Sequence, residues 1–308
     1  MDSTQGFLQT VIARVRGYLD EPDTDAKFTD DFITRHCIGS ALQDVYSRAH
    51  LNADNPILCT WTFDIEPDVV EYQLPPCIGE LWEIVTRDDH GRIILDAVPR
   101  SHFNPSGPGY EIQGNLLVLG RSEPREVTDV QVTYIHNGDI RCHFSVTGEL
   151  DDNAGTHRMI LGTPTYGEID RRVNGYAGQI LRVIPATGPI EERVIERSYY
   201  ESSNWYVDLR LPLTETTVPS ADNNVVYEIV PPMHESFVEA VSAAVALRLG
   251  TYRGISQAKM GAIEREYRKS MKTVKDAVAF MQMRVPKRFQ KDTRDNPEAG
   301  KYQPFTLL

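Results

Sequence analysis

The sequence has few cysteines and no long apolar run. Its four cysteines are scattered singly over 308 residues and lack the close pairs that metal or redox motifs need. They are Cys37, Cys59, Cys77 and Cys142. This pattern predicts reduced, mostly buried thiols in a protein made in a cytoplasm. The longest apolar stretch, 240–249, contains Ser242 and Arg248, and no basic region with a following apolar run opens the chain. We therefore expect neither a signal peptide nor a membrane span.

The common catalytic motifs are also missing. The chain contains no Gly-x-Ser-x-Gly elbow, Walker loop, dinucleotide fingerprint or His-Glu-x-x-His pair. The nearest metal-like groups are His36 with Cys37, Cys142 with His143, and Glu149 with Asp151 and Asp152. Adjacent strand residues point to opposite faces, and the acidic group lacks the glycine-centred spacing of a calcium loop. We predict no catalytic residue, no cofactor and no metal site.

The N-terminal sequence has the period of two helices, which we expect to form a hairpin. Apolar residues recur at helical spacing over 7–19, and Thr29, followed by two aspartates, has the chemistry of a helix N-cap. A second helix is predicted over 29–48. Its inward face would comprise Phe32, Ile33, Cys37, Ile38, Ala41, Leu42 and Val45.

From Cys59 the apolar period changes to two, and short strands alternate with turn signals, which is typical of antiparallel β structure. Helical spacing returns after Pro231. The predicted fold is α+β with an N-terminal helix pair, a C-terminal long helical hairpin and an extended arm. The predicted parts are N-terminal helices (1–56), an antiparallel β domain (57–147), an inserted β module (148–219), a return strand with C-terminal helices (220–284) and the arm (285–308).

Charge is divided unevenly along the chain. Residues 248–308 carry fourteen Lys and Arg against six Asp and Glu, whereas residues 1–247 carry eighteen against thirty-eight. A split of this kind predicts a polarised partner surface. The last helix has a cationic face with Lys259, Arg265, Arg268, Lys269, Lys272 and Lys275. A solvated face is the simpler interpretation, and direct DNA binding is disfavoured because the whole chain is acidic and lacks a recognition module.

The arm, 285–308, has three prolines, no helical period and cations that alternate with apolar residues. Such a segment orders on a partner rather than alone. We predict that it docks in the groove of a protein with an acidic surface. The docking residues would be Lys287, Arg288, Phe289, Lys291, Tyr302, Phe305 and Leu308. A surface tail that binds nothing is the alternative.

Two stretches of the chain resemble known phage proteins. The first comprises EYQLP at 71–75, LWEI at 81–84 and YEIQGNLLVL at 110–119. It resembles the β domain of head-to-tail adaptors of short-tailed phages, the tail tubular protein A or gatekeeper type. The second comprises NGYAGQI at 174–180, RVI at 193–195, WYVDL at 205–209 and VYEI at 226–229. It resembles a β insertion found in many phage tail and adaptor sequences.

The resemblance implies a non-enzymatic protein of the virion, located at the head-tail interface and made in the host cytoplasm. Such adaptors form a dodecameric ring beneath the portal protein. The resemblance further implies that the arm and helical domain bind the portal and that the β domains bind the tail nozzle or tube. Double-stranded DNA would pass through the lumen without specific binding.

Two other functions are compatible with the sequence. One is an adhesion or decoration protein whose β module binds a glycan by stacking on Tyr199, Tyr200, Trp205 and Tyr206. The other is a wall-degrading enzyme, for which no residues can be named. Glycan binding by the uncomplexed ring would favour the first, and zymography without clearing of cell-wall material would exclude the second.

Overall fold

The computed structural model describes twelve stretches of the chain. They are 6–21, 27–50, 58–65, 69–88, 91–95, 109–120, 129–139, 141–150, 157–185, 189–214, 225–232 and 236–282. In these stretches helices pack on antiparallel β-sheets, one of which closes into a six-stranded barrel. The mixed α+β class predicted from the sequence is confirmed.

The helices of the described residues are α1 (Phe7–Leu19), α2 (Asp30–Phe32), a π-helical turn (Ile33–Ile38), α3 (Gly39–His50), α4 (Ser236–Arg253) and α5 (Gln257–Gln282). The predicted N-cap is confirmed, because the side-chain oxygen of Thr29 accepts the amide hydrogen of Phe32 at 3.1 Å. Buried residues of all the longer helices form one core, which also includes Cys142, Phe144 and Val230 of the β structure. The helices therefore form one layer, the helical layer, on the β structure.

One residue of the predicted inward helix face lies elsewhere. Six of the seven predicted residues are buried, but Phe32 is 40% exposed. Its ring stacks on that of Phe28 with centroids 5.6 Å apart, and it lies 5.0 Å from the ring of His36. Hydrogen bonds in the π turn span five residues, so the residues before the turn are rotated relative to an unbroken α-helix. The prediction for Phe32 is therefore wrong.

Two small antiparallel sheets share one core. The four-stranded sheet has the order β1 (Leu58–Phe63), β7 (Asp129–His136), β3 (Ile78–Asp88) and β4 (Gly91–Leu95). The three-stranded sheet has the order β2 (Glu71–Gln73), β6 (Leu116–Leu119) and β5 (Tyr110–Gln113). Large side chains such as Trp61, Phe63 and Tyr72 fill the space between them.

The third sheet closes on itself. Its order is β8 (His143–Leu150), β14 (Val225–Val230), β11 (Ile180–Val183), β12 (Glu191–Glu201), β13 (Asn204–Leu209) and β9 (Arg158–Ile160). The last strand, β9, pairs with the C-terminal end of β8 and so closes the barrel. The short β10 (Tyr166–Gly167) pairs with the N-terminal end of β8. Apolar side chains such as Leu181, Val207 and Ile229 fill the interior, so the barrel has a packed core.

The barrel extends beyond the inserted module predicted over 148–219. Its first strand starts at 143 and its last ends at 230, because β8 and β14 pair with each other. The predicted return strand, 225–230, therefore lies in the barrel between β8 and β11. The period of a strand shows which side is apolar but does not identify the partner strand. The division of the chain into separate domains stays a prediction.

Glu228 links the helical layer to the barrel. Its buried side chain leaves β14 and accepts the amide hydrogens of Phe7 at 2.6 Å and Leu8 at 3.0 Å. These amides open α1, whose N-cap residue Gly6 provides no side-chain cap. A Cβ atom at Gly6 would lie 2.7 Å from Oε2 of Glu228, so glycine leaves the room that the carboxylate needs. The carboxylate also complements the partial positive charge of the helix N-terminus.

Arg182 of β11 provides the counter-charge. Its Nη1 lies 3.6 Å from Oε1 of Glu228, and its Nε lies 2.7 Å from Oε1 of Glu192, a half-exposed residue. Burial raises the pKa of Glu228, while the amides of Phe7 and Leu8 and the Arg182 guanidinium oppose that shift. Glu228 therefore depends on all three partners to compensate for its removal from water.

Replacing Glu228 by Gln tests this link. The side-chain NH2 group of glutamine would place a donor against an amide hydrogen of α1. The substitution also removes the buried negative charge that balances the Arg182 guanidinium. We expect the free energy of unfolding, measured by urea titration, to fall by about 3 kcal/mol. Replacing Glu192 by Gln removes the exposed partner of Arg182 and should change it by less than about 1 kcal/mol. Small and equal losses in both variants would contradict the role given to Glu228.

Candidate functional site

The predicted docking residues of the arm lie outside the described residues, which end at 282. They are Lys287, Arg288, Phe289, Lys291, Tyr302, Phe305 and Leu308. The helix that leads to them, α5, carries all six residues of the predicted cationic face. Within the described residues, the predicted docking surface is therefore represented by this helix.

The outer face of α5 carries five exposed or half-buried cations, namely Arg265, Arg268, Lys269, Lys272 and Lys275. Two of them, Arg268 and Lys269, form ion pairs with glutamates of the same helix. The other three, which we call the α5 stripe, form no ion pair with any residue in the described ranges. The sixth predicted cation, Lys259, is paired with Asp20 after α1. The stripe is thus the part of this face with uncompensated charge.

Charge is separated between the helical layer and the β structure. Among described residues, the helices and their immediate flanks (6–21, 27–50 and 236–282) carry thirteen Lys and Arg against nine Asp and Glu. The described β segments carry ten against seventeen. An acidic surface of another molecule is therefore attracted to the helical layer and repelled by the β structure.

The first segment of the second resembling stretch, 174–180, connects the barrel to the two smaller sheets. We call the barrel and the pair of smaller sheets the β bodies. We call residues 170–179 the joint loop. The side-chain amide of Asn174 donates to the carbonyl oxygen of Gln73 at 2.9 Å, and its backbone amide donates to that of Ser198 at 2.8 Å. The φ angle of Asn174 is +55°, a conformation that asparagine tolerates better than most residues. Asn174 thus bonds to both β bodies at once.

Gly178 allows the joint loop to approach β7 closely. Its φ angle is +78°, and a Cβ atom at this position would lie 2.5 Å from Oη of Tyr134. Beside it, Ala177 belongs to the core of the smaller sheets, and its carbonyl oxygen lies 3.7 Å from Sγ of Cys77. Both a side chain at 178 and a shift of the loop would therefore disturb the packing of the four-stranded sheet.

An arginine braces the joint loop from outside. Arg172 lies 2.6 Å from a carboxylate oxygen of Asp170, in the same loop, and 2.6 Å from one of Asp139, which follows β7. The hydrogen bond to Asp170 is the main cause that raises the pKa of Arg172. A second link joins β1 to β12, where Nε1 of Trp61 donates to the carbonyl oxygen of Glu196 at 2.8 Å. The two β bodies are therefore connected at several points.

Tyr176 of the joint loop reaches a buried histidine in the barrel. Its hydroxyl oxygen lies 2.8 Å from Nδ1 of His143, and Oη of Tyr227 lies 3.1 Å from Nε2. Burial lowers the pKa of His143 to about 3 and raises the pKa of both tyrosines. All three groups are uncharged at neutral pH, where one ring nitrogen donates and the other accepts. A general base works best with a pKa near the working pH, so this network suits a structural role.

The four aromatic residues considered for glycan stacking lie on two faces of one hairpin. Tyr199 pairs with Tyr206 across β12 and β13, and Tyr200 pairs with Trp205, so the two pairs face opposite ways. The guanidinium carbon of Arg158 covers the first pair at 5.7 Å and 5.9 Å from the ring centroids. The rings of the second pair are 5.2 Å apart, and Tyr200 is 59% exposed. The structure thus leaves one pair accessible and forms no platform of four rings.

The neighbouring histidines and cysteines considered as metal ligands, His36 with Cys37 and Cys142 with His143, lie in different environments. His36 is exposed and Cys37 buried, while Cys142 packs with the helices and His143 bonds inside the barrel. Glu149 is exposed, whereas residues 151 and 152 lie outside the described stretches. Within the described stretches, no three His, Cys, Asp or Glu side chains are grouped so that they could hold a metal ion.

All four cysteines are free and buried, as predicted. Burial raises the pKa of Cys59 and Cys77 to about 12 and raises the pKa of Cys142 as well. These thiols are therefore protonated at neutral pH, whereas a nucleophilic or metal-binding cysteine needs the thiolate. Their role in the described structure is packing.

No protein-family model matches this chain, and a search of the curated proteins returns no match. Across the helices that the structure describes, none combines the length and the apolar character that crossing a membrane requires. The features of the described residues that bear on function are the α5 stripe, the charge separation and the joint loop. The sequence predicted the cationic face that contains the stripe, and it showed the resembling stretch at 174–180. It did not predict the joint, although Asn174 followed by Gly175 is a dipeptide that marks turns.

Replacing Gly178 by Ala tests the close approach at the joint. We expect the free energy of unfolding to fall by about 2 kcal/mol or more, because the new methyl group meets Tyr134 and the backbone is strained. Gly114 is the matched control, since it has a φ angle of +65° and open space where a Cβ atom would lie. Its replacement by Ala should show the strain alone. In a Tyr134→Phe background the loss at Gly178 should shrink by about 1 kcal/mol, and an unchanged loss would contradict the proposed contact.

The buried histidine predicts a pH dependence of stability. The unfolded chain takes up a proton at His143 near pH 6.5, whereas the folded protein takes it up only near pH 3. The contribution of His143 to the free energy of unfolding should therefore decrease as the pH falls from 6.5 to 3, by up to about 1.4 kcal/mol per pH unit. In urea titrations the His143→Gln variant should lack this component, so its deficit against the wild type shrinks with falling pH. His36→Gln, at an exposed site, is the control, and a constant deficit for His143→Gln would refute the assignment.

Proposed function

We propose that this chain is a structural head-to-tail adaptor of a phage virion. In this proposal α1 and the continuous α2 to α3 segment form the N-terminal helix pair, and α4 and α5 form the long C-terminal helical hairpin. Together with the arm, this helical domain binds the portal protein. The β bodies bind the next tail component, a nozzle or a tube, and the subunits form a dodecameric ring.

The observation that carries the proposal is the α5 stripe. Arg265, Lys272 and Lys275 lie ten residues apart at most, so the stripe extends about 15 Å along the helix. None of them is neutralised by an acidic residue in the part of the chain that the structure describes. The arm continues from the same helix with further cations. The unpaired cations of α5 and the further cations of the arm support docking of the helical layer on an acidic protein surface.

Repetition around a ring would strengthen weak contacts. An exposed ion pair contributes about 1 kcal/mol or less, which alone cannot hold a partner. In a closed ring each subunit presents the same stripe and arm, so the contacts form together and their combined affinity far exceeds that of one arm. An arm that orders only on contact fits such a stepwise assembly.

The acidic β structure is suited to a passage for DNA. A ring of subunits with a net charge of −12 repels the phosphate backbone, so DNA can slide without specific binding. The joint loop holds the barrel to the smaller sheets through Asn174, Gly178 and Arg172. We propose that the β bodies therefore present one rigid surface to the tail component below.

The test is a co-sedimentation assay with the portal ring of the same phage. Deletion of Val285 to Leu308 should leave a folded protein that no longer joins the portal ring. Replacing Lys272 and Lys275 by Gln should weaken the interaction and reduce its dependence on salt, because two favourable charges are lost.

The control replaces Arg141 and Arg171 by Gln, which changes the net charge equally but on the β structure. This variant should sediment with the portal as the wild type does. Circular dichroism would verify that each variant is folded. Undiminished co-sedimentation of the truncated chain would refute portal docking by the arm, and equal losses in both charge variants would refute a specific role of the α5 stripe.

A further inference from the structure

The hairpin of β12 and β13 projects beyond its neighbours in the barrel. On one side β11 pairs with β12 only at 191–194, and on the other β9 pairs with β13 only at 206–208. Among described residues, the strand positions Tyr200, Glu201 and Asn204 have no third strand beside them, whereas the carbonyl oxygen of Trp205 accepts the amide hydrogen of Leu161 at 2.8 Å. Ser202 and Ser203 form the turn with φ angles of +48° and +71°, both in the left-handed region, as a tight two-residue hairpin turn requires. The tip is therefore a short, well-defined projection.

Two aromatic rings stand together on one face of this projection. Tyr200 is 59% exposed, and its ring centroid lies 5.2 Å from that of Trp205. We call these residues the tip pair. Trp205 also packs against the barrel core, which holds its ring in place. On the opposite face Arg158 lies over the half-buried rings of Tyr199 and Tyr206 and forms an ion pair with Asp208 at 2.7 Å.

Charge and size restrict what the tip pair can bind. Residues 198–207 contain Glu201 and no Lys or Arg, so a polyanion such as a nucleic acid would be repelled. Two rings also offer far less area than the roughly 800 Å² per partner that a stable protein interface buries. The exposed turn residues around the rings, Glu201, Ser202, Ser203 and Asn204, offer both hydrogen-bond donors and acceptors.

We propose that the tip pair is a binding site for a neutral glycan. A sugar ring has one face of C–H groups, which stacks on an aromatic ring, and a rim of hydroxyl groups, which bonds to the polar turn. The barrel alone forms this site, so the proposal is independent of portal docking. It adds a surface contact with a carbohydrate to a protein whose helical layer and arm bind another protein.

The experiment uses the full-length protein and isothermal titration calorimetry with maltohexaose, cellohexaose and N-acetylchitohexaose at millimolar concentrations. At least one of the three should bind the wild type. Tyr200→Ala should weaken that binding by about tenfold, the loss typical of one stacking contact. Tyr252→Ala is the matched control, because Tyr252 is 73% exposed on α4 and should leave binding unchanged.

Four results would overturn the proposal. The first is that none of the three sugars binds, and the second is that Tyr200→Ala binds as tightly as the wild type. The third is that polyuridylate binds at the same site with similar affinity, because a neutral-glycan site flanked by Glu201 should reject it. A change in sedimentation behaviour on Tyr200→Ala would likewise assign the tip pair to a contact between protein chains.

Discussion

The hydrogen bonds from the first amides of α1 to Glu228 position the helical layer on the barrel. A helix N-terminus and a buried carboxylate each carry charge that is unfavourable in an apolar core, and here each compensates the other. Gly6 leaves the space for this contact, and Arg182 balances the remaining charge. Buried residues of α1 belong to the shared core, which also includes Phe144 and Val230 of the barrel.

The β bodies are held together by similar means. Tyr176 of the joint loop reaches His143 inside the barrel, while Asn174 and Gly178 contact the smaller sheets. Buried polar groups that are fully paired accept few alternative arrangements, because a small displacement leaves donors or acceptors unsatisfied. The paired polar groups of the joint loop therefore define the orientation of the barrel relative to the smaller sheets more sharply than apolar packing alone would.

The proposed functions use different parts of the molecule. Docking on a portal requires free positive charge, and the helical layer and arm supply it. Sugar stacking requires an exposed aromatic ring, and the tip of the barrel hairpin supplies Tyr200 beside Trp205, in a segment, 198–207, that has no Lys or Arg. Because Tyr200 belongs to β12 and the stripe to α5, a change at Tyr200 should not alter the α5 stripe, and the two proposals can be tested independently.

Much of the local structure could be predicted from the sequence. The apolar period over 7–19, the cap at Thr29, five of the six strands of the barrel and the cationic face of α5 follow from local spacing, whereas β8 was not predicted. The sequence by itself determined the type of most elements, the apolar side of most of them and the separation of charge. Only the tertiary structure decided that β14 closes the barrel, that Phe32 faces outward and that Glu228 caps a helix 221 residues earlier. The physical reason is that periodicity reports which side of an element avoids water, whereas partners distant in the chain are selected by shape and hydrogen bonding that leave no local pattern.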